Sequence, residues 1–261
     1  DSFKEDHWIE LLNGKLQLPD AVRLENLTFG HFLSVLDILC DPGFCIFAKD
    51  LQSRAQGELI IRDGFHELTS WSHKARFKLT RYNLEGENYT CLITNFKELS
   101  LDVGDKKSLL AALEGSPFFK KFADSASIYD SKLSRIDNCL SMLALIQRRW
   151  LFLHPILIRG FIERDLFHTI DSGYQKTMRT IELFPKLFDV CDEKIHLNLE
   201  KFLTNIIDGI NSCQRAIFDF LEKKRSIMPR FYFLGDDDLL EILGQPESPS
   251  VIQRHIKCMF Q

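Results

Sequence analysis

The sequence predicts a mainly α-helical fold, an elongated rod of antiparallel helical bundles interrupted by one β-hairpin at about residues 76–94. Three observations predict it. Apolar side chains recur at helical spacing through two long windows, 118–153 and 195–221. The period changes to two only around 76–82 and 89–94. Proline and glycine cluster at a few points, Asp41-Pro42-Gly43, His154-Pro155 and Met228-Pro229 among them, and divide the chain into long segments.

The elements follow in chain order. Leu27, Phe32, Leu33, Val35, Leu36 and Leu39 form a helix-like stripe that Asp41-Pro42-Gly43 is expected to end. A second helix is expected from about Asp50 to Trp71, with Leu51, Ala55, Leu59, Ile61, Phe65, Leu68 and Trp71 on one face. Gly57 and Gly64 inside it each cost about 1 kcal/mol relative to alanine, so that helix depends on tertiary packing. Phe77 and Leu79 alternate with Lys78 and Thr80, and Tyr89 to Thr94 repeat the alternation after the turn-rich stretch 84–88, which gives the hairpin. A lone hairpin is marginal in water and must lie against helices.

Ser116-Pro117 reads as a helix opening, serine as cap and proline in the first turn. Phe118, Phe122, Ile128, Leu133, Ile136, Leu140, Leu143, Ile146, Trp150 and Leu153 continue the stripe until His154-Pro155. A helix of about 35 residues would be roughly 50 Å long. A medium helix is expected over 163–183 and another long one through Ile195, Leu199, Phe202, Ile206, Ile210, Cys213, Ile217, Phe220 and Leu221. Pro229 should stop that helix near Ile227. Phe231-Tyr232-Phe233 favours a short strand, with Phe231 and Phe233 on one buried face. Gly235 then makes a turn, and Asp236, Asp237 and Asp238 place negative charge at the start of a helix continued by Leu239, Leu240, Ile242 and Leu243. Residues 245–250 form the last loop. The expected division is 1–115, with the hairpin, and 116–261, with the long helices.

Composition narrows the function classes. The chain has 261 residues, 45% of them hydrophobic, and Lys plus Arg (33) nearly balances Asp plus Glu (37) for a net charge of -4. No global field favours nucleic acid or an acidic membrane surface, so protein partners are expected. Seven scattered cysteines show no Cys-x-x-Cys pair and no zinc spacing with histidine, which fits a reducing compartment. No apolar run is long enough to span a bilayer, and the glycosylation triplets at Asn26 and Asn88 read as incidental. The chain starts at Asp1 without methionine and resembles a piece of something longer.

No catalytic, cofactor or metal residues are assigned. Asp236 to Asp238 lack the spread of oxygen ligands that a hard cation wants and read instead as helix-start charges. The eight histidines are dispersed, and no Gly-x-Ser-x-Gly elbow is present. No Gly-x-x-x-x-Gly-Lys-Ser/Thr loop occurs, so this piece is not expected to hydrolyse ATP. Trp8, Trp71 and Trp150 lie on or near apolar stripes, where core packing is expected. Lys223-Lys224-Arg225 complements a helix end.

The stretch from Lys223 through Pro229, Arg230, Phe231, Tyr232, Phe233, Leu234, Gly235, the three aspartates and Leu239 to Gln245 closely resembles the linker region of dynein heavy chains. The resemblance continues through Ser248 to Lys257 and backward through Ile146-Gln147-Arg148-Arg149-Trp150 and Phe167, Asp171, Tyr174 and Met178, and covers the chain from about Leu24 onward. Arg54 to Arg62 and Leu234-Gly235-Asp236-Asp237-Asp238 are more similar to the cytoplasmic dynein 2 class, that of intraflagellar transport, than to axonemal dyneins. His154 departs from the acidic residue usual in the family, and the interval from Trp150 to Phe167 is about two residues shorter than usual.

The resemblance implies a mechanical linker that couples ATP-driven changes in a downstream AAA+ ring to movement of a tail, in minus-end-directed microtubule transport. It implies ATP and Mg in that ring and none in this piece. It further implies a dimeric parent in the cytoplasm, cytoskeleton and cilium. Partners would be the ring of the same chain, dynein intermediate and light intermediate chains through the tail, and the microtubule indirectly, with no nucleic acid and no membrane insertion. The rival reading is a non-motor helical scaffold or spectrin-like tether.

Overall fold

The computed structural model describes residues 2–16, 26–84, 89–158, 164–191, 199–244 and 249–259, with side chains at 155–158, 164–167, 244 and 256–259 left out. It is mainly α-helical with a single two-stranded antiparallel hairpin among the described residues, as the periodicities predict. Two compact units make up the chain, Asp1–His73 with Gly104–Leu133 and Lys74–Val103 with Ser134–Gln261.

In the first unit, α1 (Glu5–Ile9) runs into a π-helical turn (Glu10–Lys15). Leu12 and Leu16 are buried there against Leu27, Val35, Ile38, Leu39 and Phe44. The single helix expected over 27–39 is two short ones, α2 (Phe29–Ser34) and α3 (Leu36–Leu39). The break falls at Val35, whose φ of -116° and ψ of 20° leave the helical region. Neither helix has a fully buried residue to hold a continuous rod together.

Pro42 opens the next helix instead of separating it from its predecessor. α4 (Pro42–Lys74) starts eight residues earlier than expected, because the first turn needs no N–H from proline and the amides of Phe44 and Cys45 bond to the Asp41 carbonyl. Its two internal glycines have a packing reason. A Cβ on Gly57 would stand 2.3 Å from Cδ2 of Phe118, and one on Gly64 would stand 2.6 Å from a methyl of Leu113.

Glu58, buried on α4, gathers three basic side chains: His7 Nε2 at 3.2 Å, Lys121 Nζ at 3.1 Å and Arg62 Nη1 at 3.5 Å. Burial opposes its charge, but Lys121, His7 and Arg62 outweigh burial and hold the carboxyl below its ordinary value. The Nδ1 atom of His7 accepts the Lys4 amide at 3.1 Å, so in the neutral ring Nε2 carries the hydrogen that faces Glu58. α1 is thereby fastened to α4. Arg62 adds a bond to the Ser2 carbonyl, and Arg54 pairs with Glu10.

A helix that the sequence analysis does not identify, α5 (Phe96–Glu114), follows the hairpin. Ser116 and Pro117 lie in the turn after it and do not open a helix. The Ser116 amide closes on the Leu113 carbonyl, the Phe119 amide closes on Ser116, and a 3₁₀ turn (Phe119–Phe122) leads into α6 (Ala123–Ile158). Phe65 packs near Phe122 and Tyr129, and Tyr129 shares a hydrogen bond with Thr69 at 2.9 Å.

The second unit is built on the hairpin β1 (Leu79–Asn83) and β2 (Tyr89–Ile93), in the register Leu79 to Ile93 through Asn83 to Tyr89. Most of the expected turn, 85–88, lies outside the described residues. Asn95 closes the open end, accepting from the Lys78 amide at 2.9 Å and donating to the Arg76 carbonyl at 3.1 Å. The Phe77 amide bonds to the Pro185 carbonyl and the Leu187 amide to the Ala75 carbonyl, so a short bridge widens the base of the hairpin.

The expected break at Pro155 does not occur, and α6 stays helical to Ile158. Proline removes one backbone bond, but Trp150, Leu153 and His154 are all buried in the preceding turn and anchor it. Then come α7 (Arg164–Leu183), α8 (Leu187–Cys191), α9 (Leu199–Ile227), α10 (Asp236–Gly244) and α11 (Pro249–Met259). The α9 start expected at Ile195 and the loop residues 245–248 lie outside the described residues. α9 stops at Ile227 as Pro229 dictates. α7 and α9 pack closely, since a Cβ on Gly209 would come within 2.9 Å of Ile170.

Candidate functional site

The residues singled out by the sequence fall into two constellations, both in the second unit. The first is centred on Trp150 of α6. Its ring is 1% exposed and stacks on Tyr174 of α7 with centroids 4.4 Å apart and planes 25° from parallel. Nε1 donates to Asp171 Oδ1 at 3.0 Å, and the other Asp171 oxygen accepts from Gln175 at 2.8 Å. Asp171 and Tyr174 are three apart on one helix, which puts both on the face that meets α6. His154, the departure from the family pattern, packs its ring 4.4 Å from Trp150 on the same helix face. Tyr82 of the hairpin meets the indole edge-on at 6.2 Å. The Phe167 side chain lies outside the described residues.

Sequence reasoning missed the residue that ties this cluster to the hairpin. Gln147 is buried one turn before Trp150, its Oε1 accepts the Ile93 amide at 2.9 Å, and its Nε2 donates to the Ile93 carbonyl at 2.9 Å. The primary amide thus imitates a strand, satisfying both outward groups of Ile93 at once. Tyr174 OH donates to the same Oε1 at 3.4 Å. Burial, followed by the charge that an ionised Cys91 would place nearby, pushes the Tyr174 hydroxyl pKa upward, so the phenol stays a neutral donor. The available signal was a polar amide inside the apolar stripe Leu143, Ile146, Trp150.

The second constellation joins α9 to α10. The expected strand at Phe231-Tyr232-Phe233 is a 3₁₀ turn, Pro229–Phe233. Pro229 supplies the fixed φ that starts such a turn, and the amides of Phe231 and Leu234 bond three residues back to Met228 and Phe231. The alternation of a strand therefore does not apply. Phe231 is half-buried, whereas Tyr232 and Phe233 are 57% and 72% exposed, so the expectation of one buried face for Phe231 and Phe233 is overturned. Arg230 is exposed.

Arg225 locks the turn. Its buried guanidinium donates to Asp236 Oδ1 at 2.6 Å, to the Leu234 carbonyl at 3.2 Å and to Glu222 at 3.0 Å. The Asp236 carboxylate first, and then Glu222, raise its pKa further despite burial. Asp236, Asp237 and Asp238 occupy the first turn of α10, and Leu239 is fully buried behind them. Beyond them Glu241 accepts from Arg254 at 2.9 Å and pairs with His255 at 2.9 Å, which fixes α11 on α10. Among the described residues no group of three His, Cys, Asp or Glu side chains is arranged to hold a metal ion, and no helix is long and apolar enough to cross a membrane. Both constellations are packing joints, one between helix and hairpin and one between successive helices.

Comparison with known proteins agrees with the motifs. The chain is 42% identical over 263 residues to cytoplasmic dynein 2 heavy chain 1 of Mus musculus and 41% identical over 262 residues to that of Homo sapiens, covering 100% of this chain in each case. It is 28% identical over 267 residues to a cytoplasmic dynein heavy chain of Caenorhabditis elegans. The chain spans about 6% of the length of each of these relatives. A family model described as dynein heavy chain, N-terminal region 2, matches residues 1–261, and the chain belongs to that family.

Proposed function

We propose that this segment is the mechanical linker of a dynein heavy chain of the cytoplasmic dynein 2 type. It carries displacement from an ATP-driven AAA+ ring elsewhere in the parent chain to a cargo-bearing tail, in retrograde intraflagellar transport along microtubules. The observation that carries this reading is the match over all 261 residues to the N-terminal region of dynein heavy chains. Physical support comes from α4, α6 and α9, of 33, 36 and 29 residues, long helices of the kind that transmit displacement. The charge-assisted bonds of Arg225 close the C-terminal end of α9, and the two-point bond of Gln147 ties α6 to the hairpin. Packed joints of this type hold one arrangement until enough energy accumulates to switch to another.

The segment makes no force itself and binds no ATP or Mg. Its partners are the ring of its own chain and, through the tail, intermediate and light intermediate chains. The parent works as a dimer in cytoplasm and cilium. Replacing Arg225 by Met in the parent heavy chain tests the role. ATP turnover should persist while microtubule gliding slows several-fold, because the α9 to α10 joint no longer holds. Gliding at the unaltered speed, or ATP hydrolysis by the purified 261-residue segment, would refute it.

A further inference from the structure

Two buried cysteines that take no part in either joint meet each other. Cys139 on α6 and Cys191, the last residue of α8, are both free thiols. The Cys191 S–H donates to Cys139 Sγ, and the charged groups that act on the pair are Arg135, one turn earlier on α6, and Glu200 on α9. The bond accepted from Cys191 outweighs burial and holds the Cys139 pKa below its ordinary value. The same bond, followed by burial, raises Cys191 well above its own, so Cys139 ionises first. Cys91 and Cys213 are also buried, and there burial raises the thiol pKa. The pattern at Cys139 therefore comes from its thiol neighbour.

A readily ionised thiol beside a second thiol is the arrangement of a reactive cysteine and its resolving partner. A cavity of about 230 Å³ is lined by Val190, the residue before Cys191, and by Leu199, the residue before Glu200. Hydrogen peroxide is little larger than water, whose share of liquid volume is about 30 Å³, and fits within it.

We propose that Cys139 and Cys191 form a reversible redox site that closes to a disulfide under peroxide. Nothing in it depends on the linker reading. The Cys139 thiolate attacks one peroxide oxygen, the O–O bond breaks, and the departing hydroxide takes the proton that Cys139 lost on ionising. Cys139 is left as S–OH. Cys191 Sγ then attacks that sulfur, the S–S bond forms, the S–O bond breaks, and the departing hydroxide leaves as water with the Cys191 proton. Two thiols and one peroxide thus give one disulfide and two waters, with both sulfurs oxidised and the peroxide reduced. The cross-link closes the loop 139–191, which contains Trp150, Asp171 and Tyr174. α8 is already bonded to the base of the hairpin through the Leu187 amide and the Ala75 carbonyl. Oxidation therefore fastens α6 to that base and opposes separation of α6 from α7.

The test exposes the native parent heavy chain to hydrogen peroxide, blocks the remaining thiols with iodoacetamide and maps disulfides by mass spectrometry. The expected product joins the Cys139 and Cys191 peptides with the loss of two hydrogens, and reduced glutathione reverses it. In Cys191→Ser, Cys139 should stop at the sulfenic acid and be trapped by dimedone, with at least several-fold more label than Cys191 takes up in Cys139→Ser. Hydrogen exchange of the α7 amides should slow several-fold when the parent is oxidised, and unchanged exchange would refute the restraint on α7. Both thiols still open to alkylation after the exposed Cys40 and Cys45 have oxidised would overturn the proposal. So would a cross-link from either residue to another cysteine, or one that forms only in urea. The mapping in the unaltered parent decides the matter even if a variant folds poorly.

Discussion

Replacing Gln147 by Leu removes the clamp on β2 while nearly preserving side-chain volume, so cavity formation contributes little. The Ile93 amide and carbonyl, now bonded to Gln147 at 2.9 Å each, would be left in a site where Ile93 is only 2% exposed. Each orphaned buried group costs about 1–3 kcal/mol. The pair therefore predicts a loss of about 3–4 kcal/mol in the unit that holds the hairpin, a large part of the 5–15 kcal/mol typical of a domain. Hydrogen exchange reads this at one atom. The Ile93 amide should lose protection by roughly a hundredfold or more, since about 1.4 kcal/mol corresponds to tenfold, and the amides of β2 should follow. Gln147→Glu, which keeps the acceptor but puts an oxygen against the Ile93 carbonyl, should be destabilising as well. If the Ile93 amide exchanges in Gln147→Leu as slowly as in the parent sequence, the two-point bond does not hold the hairpin and the reasoning is wrong.

Trp150→Ala should lower stability by about 3–5 kcal/mol, because the ring is fully packed against Tyr174 and His154. Trp150→Phe should cost about 1 kcal/mol more than its lost volume explains, for the missing bond to Asp171. Unchanged urea midpoints would contradict both. Glu58 has a depressed folded pKa, so its contribution is present above its ordinary value of 4.5 and is lost as pH falls through the folded value. The first unit should therefore weaken on acidification below about pH 4.5, and Glu58→Gln should flatten that part of the stability profile; an unaltered profile would refute the assignment. Gly57→Ala gains about 1 kcal/mol of helix propensity but drives a Cβ into the Phe118 ring. A net loss of about 1 kcal/mol is expected in thermal unfolding, and a stabilised variant would show that the ring moves aside freely.

The sequence by itself determined the helical class, the hairpin, the end of α9 at Ile227 and the start of α10 at the aspartates. Each of these is set by local chemistry, namely the period of apolar residues, a proline that cannot continue a helix and charge at a helix terminus. The Trp150, Asp171 and Tyr174 spacing was legible as a motif, though its meaning as a stack and a hydrogen bond was not. Tertiary structure alone decided three things. Pro155 stays inside α6 because its buried neighbours outweigh one missing bond. Phe231 to Phe233 coil into a 3₁₀ turn because Arg225 holds Leu234 and Asp236 from a distance, so strand propensity has no partner to pair with. Gln147 recognises Ile93 across 54 residues, a contact that no local pattern encodes because it exists only once helix and hairpin have met.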